Sequence, residues 1–189
     1  MNYYELFAVA FGLVSVLLTI KENIWCWPTG IISVSLYIIV FYRARLYGEM
    51  GLQVVFIALQ IYGWYEWLRG GPGHGELHIA RASPSLRAWL ALIAIAGIAL
   101  MGYLLATMTD ASLPLLDSTV TVLSLIAQWM LAKKLLESWI IWIAVDVLSI
   151  GIYFYRELYL STVLYATFLV LATVGFIEWR KILRSLQPA

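Results

Sequence analysis

Asp146 sits in the middle of an apolar run, Trp139–Tyr155, where a charge is out of place. An aspartate at mid-membrane depth costs about 2.5–3.5 kcal/mol on insertion scales, so such residues are retained for a reason. Trp142 lies four residues before it and Tyr153 seven after, on the same side of a helix. A carboxylate beside aromatic faces suits a cationic aromatic solute, through charge attraction and cation–π contact. The same residue could instead be a structural acid, hydrogen-bonded to a Tyr or Ser of another helix. The sequence leaves both open. A second constellation is Gln53, Gln60 and Trp64, whose spacings of seven and four put them on one helical face. Amides in lipid need partners, so this face looks inward, either as interhelical glue or as a stripe that hydrogen-bonds and stacks on a polar solute. Gln128 is deep enough in its own run to join such a stripe. Its neighbour Trp129 equally suits an interface anchor.

Other chemistry is poorly represented. His74 and His78 are four apart but lie in a Gly/Pro-rich stretch, with no helix to aim both rings at a zinc ion. No nucleophile elbow, P-loop or dinucleotide fingerprint occurs, so no cofactor and no metal are expected and an ATP-driven pump is excluded for this chain alone. Cys26 is the single cysteine, which rules out an intrachain disulfide. An intramembrane enzyme using Asp146 and a tyrosine is the competing class. It lacks a convincing second polar group at the depth of Asp146. A structural membrane subunit, a third reading, would need no polar cavity.

The elements that must position these residues follow from composition. Hydrophobic residues make up 63% of the 189 and charged ones 12%, against about 45–50% and 25% in soluble domains. Lipid is the solvent that accommodates this. A net charge of +1 argues against a nucleic-acid partner. Seven runs, near Tyr4–Ile20, Ile24–Tyr42, Met50–Leu68, Ala88–Ala106, Leu113–Ala132, Trp139–Tyr155 and Tyr159–Trp179, each approach the ~20 residues that cross a bilayer as a helix. No sustained alternation suggests strands. The fold class is all-α and integral to the membrane, and the first run reads as a retained helix because MNYYELF lacks a basic leader.

Positive charge gives the chain a direction. With seven crossings, Lys21, Arg69, Arg81, Arg87, Lys133, Lys134, Arg180, Lys181 and Arg184 share one side, and Arg43, Arg45 and Arg156 the other. By the positive-inside rule the N-terminus lies outside and the C-terminus in the cytoplasm. The acidic connection with Asp110 and Asp117 then falls outside. The longest connection, between Arg69 and Arg87, is rich in Gly and Pro and reads as a flexible cytoplasmic loop.

That loop divides two similar halves. Gly63, Glu66 and Trp67 recur as Gly175, Glu178 and Trp179, and Leu46-Tyr47 as Leu158-Tyr159, at a separation of 112. Tyr42-Arg43 matches Tyr155-Arg156 at 113 and Trp25 matches Trp139 at 114, a drift that calls for a short indel in each connection. Spans 1–3 thus pair with spans 5–7 in the same direction, and span 4 restores the orientation. The expected organisation is a single membrane domain over 1–189 with repeat 1 at about 4–68, loop and fourth helix at about 69–106, and repeat 2 at about 113–182. Parallel repeats of this kind occur in carriers, with the site at their interface near the bilayer midplane.

Combined motifs carry a family resemblance. Glu22-Asn23-Ile24-Trp25-Cys26-Trp27-Pro28-Thr29-Gly30-Ile31-Ile32-Ser33, Leu59-Gln60-Ile61-Tyr62-Gly63-Trp64-Tyr65-Glu66-Trp67, Ala127-Gln128-Trp129 through Lys133-Lys134, Glu137-Ser138-Trp139, Tyr159 through Tyr165, and Gly175-Phe176-Ile177-Glu178-Trp179 resemble the PnuC family of bacterial vitamin transporters. The resemblance covers about residues 5 to 182. Ser138 departs from it, since the family usually has Asn there. The resemblance implies a 3+1+3, SWEET-like arrangement, assembled as a homotrimer in the bacterial inner membrane. It implies uptake of nicotinamide riboside, or of a related vitamin such as thiamine, by facilitated diffusion, with a cytoplasmic kinase trapping the cargo by phosphorylation. A central binding region of aromatic and amide side chains, carried onto this sequence, comprises Gln53, Gln60, Trp64, Gln128, Trp142, Asp146 and Tyr165.

Overall fold

Each apolar run becomes a helix, and its boundaries follow local chemistry. The computed structural model describes residues 3–43, 45, 47–109 and 112–185. It contains α1 (Tyr3–Ile20), α2 (Cys26–Arg43), α3 (Tyr47–Arg69), α4 (Pro84–Met108), α5 (Pro114–Ala132), α6 (Glu137–Tyr155) and α7 (Tyr159–Ser185), with one short 3-10 turn at Pro72–His74. Asp110 and Leu46 lie outside the described residues. Proline opens α4 and α5 at the position where a missing N–H does no harm. At α4 the Ser83 hydroxyl also accepts a hydrogen bond from the Leu86 amide at 3.2 Å.

The ends of α1, α5 and α6 share one device. Glu22, Lys134 and Glu157 all have positive φ, at 53°, 50° and 59°. The Glu22 and Asn23 amides donate back to Thr19 and Leu18, the Lys134 and Leu135 amides to Leu131 and Met130, and the Glu157 and Leu158 amides to Phe154 and Tyr153. This is the paired 6→1 and 5→2 cap that satisfies the last helical carbonyls. Arg45, at φ 59°, follows α2 in the same way and donates to the Tyr42 carbonyl. Glu22 and Lys134 stand 112 residues apart, and so do Arg45 and Glu157. The offset is therefore constant through both connections, and the short indels expected from sequence are absent.

The register of one aromatic pair changes accordingly. Trp27 is 3% exposed, whereas Trp25 is 65% exposed. Trp27 lies over Gly63 and Trp139 over Gly175, where an added Cβ would meet the indole in each case. Trp27 meets Trp67 edge-on at 5.3 Å, and Trp139 meets Trp179 edge-on at 5.4 Å, both with ring planes at 89°. Trp67 and Trp179 then touch at 6.2 Å. Trp27, not Trp25, is the counterpart of Trp139. Burial of aromatic faces, each ring worth well over 100 Å², decides the match.

Helices α1, α2 and α3 pack in sequence, as do α5, α6 and α7, while α4 lies along α5. The two sets meet through α3 on α5 and α1 on α7. Six helices are long and apolar enough to cross a membrane by length and composition. The long helix that falls short is α3, whose 23 residues include Glu49, Gln53, Gln60, Glu66 and Arg69.

The connection between α3 and α4 differs from the flexible loop expected. Its first part, 70–76, is largely exposed, but Ile79 and Ala82 are buried. Ala80 pairs with Leu135 as a parallel bridge. Its amide donates to the Lys134 carbonyl at 3.0 Å and its carbonyl accepts from the Leu136 amide at 2.9 Å. The Ala82 amide donates to Glu137 Oε2 at 2.9 Å. Two apolar side chains and satisfied backbone groups pin this segment as a strap across the α5–α6 turn.

Candidate substrate-binding cavity

A cavity of about 250 Å³ opens between the two helix sets, lined by residues of α1, α2, α3, α5, α6 and α7. Its polar lining comes from Ser15, Thr19, Ser33, Gln60, Gln128 and Asp146, and its aromatic lining from Trp27, Trp139, Trp142, Tyr165 and Phe168. It is slightly smaller than the roughly 300–1,000 Å³ typical of ligand pockets, which suits a compact solute.

Small residues make the room. Gly12, Ser15 and Thr19 form one face of α1, and Gly30 and Ser33 one face of α2. Ser33 donates to the Ala8 carbonyl at 2.7 Å, and Ser15 to the Cys26 carbonyl at 2.7 Å, so these hydroxyls clip α1 to α2. At Gly30 a Cβ would collide with the Gln60 amide oxygen and press on the Ser15 hydroxyl. Pro28 lies in the first turn of α2 and leaves the helix unbroken. Pro28 thus serves the helix start and Gly30 a close approach.

Asp146 is 4% exposed. No hydrogen bond or ion pair from another described residue reaches its carboxylate, which faces the cavity with Trp142 and Tyr165. A buried acid without a partner carries a large desolvation penalty that a cation in the cavity would offset. Tyr165 in turn stacks on Tyr153 at 5.0 Å, so Tyr153 supports the wall without lining it.

Five of the seven residues expected from sequence are brought together here: Gln60, Gln128, Trp142, Asp146 and Tyr165. Gln53 and Trp64 are not. Gln53 lies two helical turns from Gln60, about 10 Å along the axis, beyond the cavity. Trp64 is 37% exposed and turns away from the lining. The narrow cavity meets α3 at one turn only, so a shared helical face is not enough. Sequence reasoning missed Gly12, Ser15, Thr19, Cys26, Trp27, Gly30, Ser33 and Trp139. The spacing of small residues at 12, 15 and 19 was the available signal.

Two ion pairs lie past the tryptophans. Lys134 Nζ is 2.9 Å from Glu22 Oε2 and lies 4.4 Å over the Trp67 ring. Lys133 Nζ is 2.9 Å from Glu66 Oε1. Burial draws the Lys133 ammonium down, and hydrogen bonds to Tyr62 and Glu66 outweigh it, holding the group above its ordinary value. Glu178 is bonded locally to Lys181 at 2.7 Å. Glu66 lies in the last turn of α3, whereas Glu178 lies two turns before the end of α7.

Residues 2–181 match the family model described as nicotinamide mononucleotide transporter. The chain belongs to this family. Among its relatives, the nicotinamide riboside transporter PnuC of Escherichia coli is 28% identical, with 95% of this chain and 85% of the relative covered. The PnuC of Neisseria mucosa is 30% identical over 94% of this chain and 72% of its own length. A riboflavin/roseoflavin transporter, RibM of Streptomyces davaonensis, is 28% identical over 89% and 80%. A crystal structure of the vitamin B3 transporter PnuC superposes with a TM-score of 0.78 at 25% identity, covering 98% of this chain and 83% of that one. Family membership makes this protein a membrane transporter of a small molecule and sets aside the enzyme reading.

Proposed function

We propose that this protein carries nicotinamide riboside into the cell by facilitated diffusion, with cytoplasmic phosphorylation trapping the cargo. The observation that carries the choice of cargo is the unpartnered Asp146 carboxylate in a small aromatic cavity. Nicotinamide riboside presents a pyridinium cation for Asp146, a flat ring for Trp142 and Tyr165, and hydroxyl and amide groups for Gln60 and Gln128. Riboflavin is neutral and larger, and matches neither the carboxylate nor the cavity as well. Thiamine shares the cationic ring and is the competitor the test must include.

The architecture in this reading has seven spans, α3 among them, in two parallel three-helix repeats joined by α4. The constant offset of 112 residues and the matched tryptophan pairs support it. The repeats are α1–α3 and α5–α7 of one membrane domain. The nine-to-three split of positive charge supports an outside N-terminus and a cytoplasmic C-terminus in a bacterial inner membrane. Kinship supports a homotrimer.

Purified protein in liposomes is expected to take up labelled nicotinamide riboside saturably, without ATP or an ion gradient. Asp146→Asn should lower uptake about tenfold or more, the equivalent of about 1.4 kcal/mol. Wild-type uptake by that variant removes the carboxylate from the site. Stronger competition by unlabelled thiamine than by unlabelled nicotinamide riboside reassigns the cargo.

A further inference from the structure

The two halves match in backbone but not in how their cytoplasmic turns are held. Residues 21–25 join α1 to α2, and residues 133–136 occupy the corresponding place between α5 and α6. Three sets of contacts hold the second turn. Trp67 Nε1 donates to the Leu131 carbonyl at 3.2 Å. The strap bonds both sides of the turn through Ala80. Lys133 is paired with Glu66.

The counterparts of these contacts in the first half are missing among the described residues. Trp179 occupies the place of Trp67, and Thr19 that of Leu131, yet Trp179 Nε1 is buried without a hydrogen-bond partner. No segment bridges residues 21–25 as the strap bridges 133–136. Glu178 bonds Lys181 within its own helix, leaving Lys21 exposed and without an ion pair. Among the described residues one ion pair ties the first turn to the second: Glu22 to the buried Lys134.

These turns lie at the end of the cavity. Trp27 and Trp139 line it, Trp67 and Trp179 pack beyond them, and Lys134 lies on the outer face of Trp67. Moving residues 21–25 away, together with the α1–α2 pair that Ser15 and Ser33 clip together, would uncover this path. Moving 133–136 would first require breaking the strap. We propose that the α1–α2 turn is the mobile half of the cytoplasmic gate, that the strapped α5–α6 turn is its fixed half, and that Glu22–Lys134 is the latch between them. The proposal rests on the carrier reading. It adds which half moves and which contact must break.

The native chain carries its own reporter. Cys26, its sole cysteine, is 2% exposed, begins α2 beside the mobile turn and lines the cavity. In liposomes, Glu22→Gln should raise labelling of Cys26 by a membrane-impermeant maleimide about tenfold from the face that carries residues 70–76, as expected for loss of a partly buried ion pair. A cysteine at position 76 (Glu76→Cys in Cys26→Ser) marks that face independently. The charge swap Glu22→Lys with Lys134→Glu should return the rate to within about twofold of wild type, because the attraction is restored. If Glu22→Gln does not fold, Glu22→Asp is the milder substitution, with a rise of about threefold expected from the shortened reach.

Hydrogen exchange then identifies the moving half. Amides of 19–27 should exchange about tenfold faster in Glu22→Gln, with 131–138 unchanged. Equal acceleration of both segments, or acceleration of 131–138 alone, overturns the assignment. Unchanged labelling, labelling from the other face, or a swap that fails to restore protection overturns the latch. None of these measurements needs cargo. Their failure leaves the carrier reading standing, and failed uptake of every vitamin leaves them interpretable.

Discussion

The turns at 21–25 and 133–136 have the same helix cap and a left-handed residue at the same place, of opposite charge, yet one is half-exposed and the other is buried under a strap. A transporter built from two like halves has to break their equivalence somewhere if one is to move against the other. Here the break lies outside the helices, in the segment after α3 that docks on the α5–α6 turn. The lesson is that matched backbones do not imply matched stability. The contacts a linker adds to one half can decide which half stays put.

The comparison can be broken at several points. The largest effect should come from the matched glycines. Gly63→Val and Gly175→Val each force an indole aside and should each lower stability by about 1–3 kcal/mol, the usual range for overpacking. Thermal melting of the detergent-solubilised protein would read it, and a loss confined to one glycine would deny the symmetry of the tryptophan pairs. Next is the strap. Ala80→Pro removes the amide that bonds the Lys134 carbonyl and should cost about 1–3 kcal/mol for the carbonyl left short of its donor. Faster hydrogen exchange is expected at 131–138.

The indoles sharpen the contrast further. Trp67→Phe shrinks a buried ring and also deletes the bond to Leu131, which should add about 1 kcal/mol to the loss. Trp179→Phe shrinks an equally buried ring but deletes an N–H that has no partner among the described residues, so its loss should be smaller by about 1 kcal/mol in the same melting assay. A larger loss at Trp179 than at Trp67 would contradict the asymmetry. The smallest effect is ionic. Lys133→Met removes a partly exposed pair with Glu66, worth about 0.2–1 kcal/mol, whereas Lys21→Met should leave the melting temperature unchanged.

Much of this was legible from residue types and spacing. The seven runs matched the seven long helices, with the largest difference at the end of α7, which continues past Trp179 to Ser185, because lipid demands continuous apolar helices and Pro, Gly and charge mark where most of them stop. Asp146, Gln60 and Gln128 stood out because each polar group in such a run needs a reason. The serine and threonine wall of the cavity did not, since its spacing is a weak signal and a hydroxyl such as that of Thr19, bonded to the Ser15 carbonyl at 2.9 Å, can be satisfied inside its own helix. The Trp25–Trp139 match failed for a different reason. Two tryptophans stand two residues apart, and only packing over Gly63 tells them apart. The strap was hidden by the Gly/Pro stretch that precedes it, in which Ile79 and Ala82 gave too little apolar signal to register as a docked segment.

The composition of α3 bears on how the chain is assembled. Its polar residues leave it, among the described long helices, the one not apolar enough to cross a membrane by composition alone. During synthesis it emerges directly after α2, against which it packs, but its other neighbour, α5, begins at Pro114, 45 residues after α3 ends at Arg69. Gln60 can shelter against Gly30 of α2 at once, but Glu66 has no Lys133 to pair with until α5 has been made. The first half is made first but completed last, and its cavity-lining helix depends on a partner that the ribosome has yet to produce.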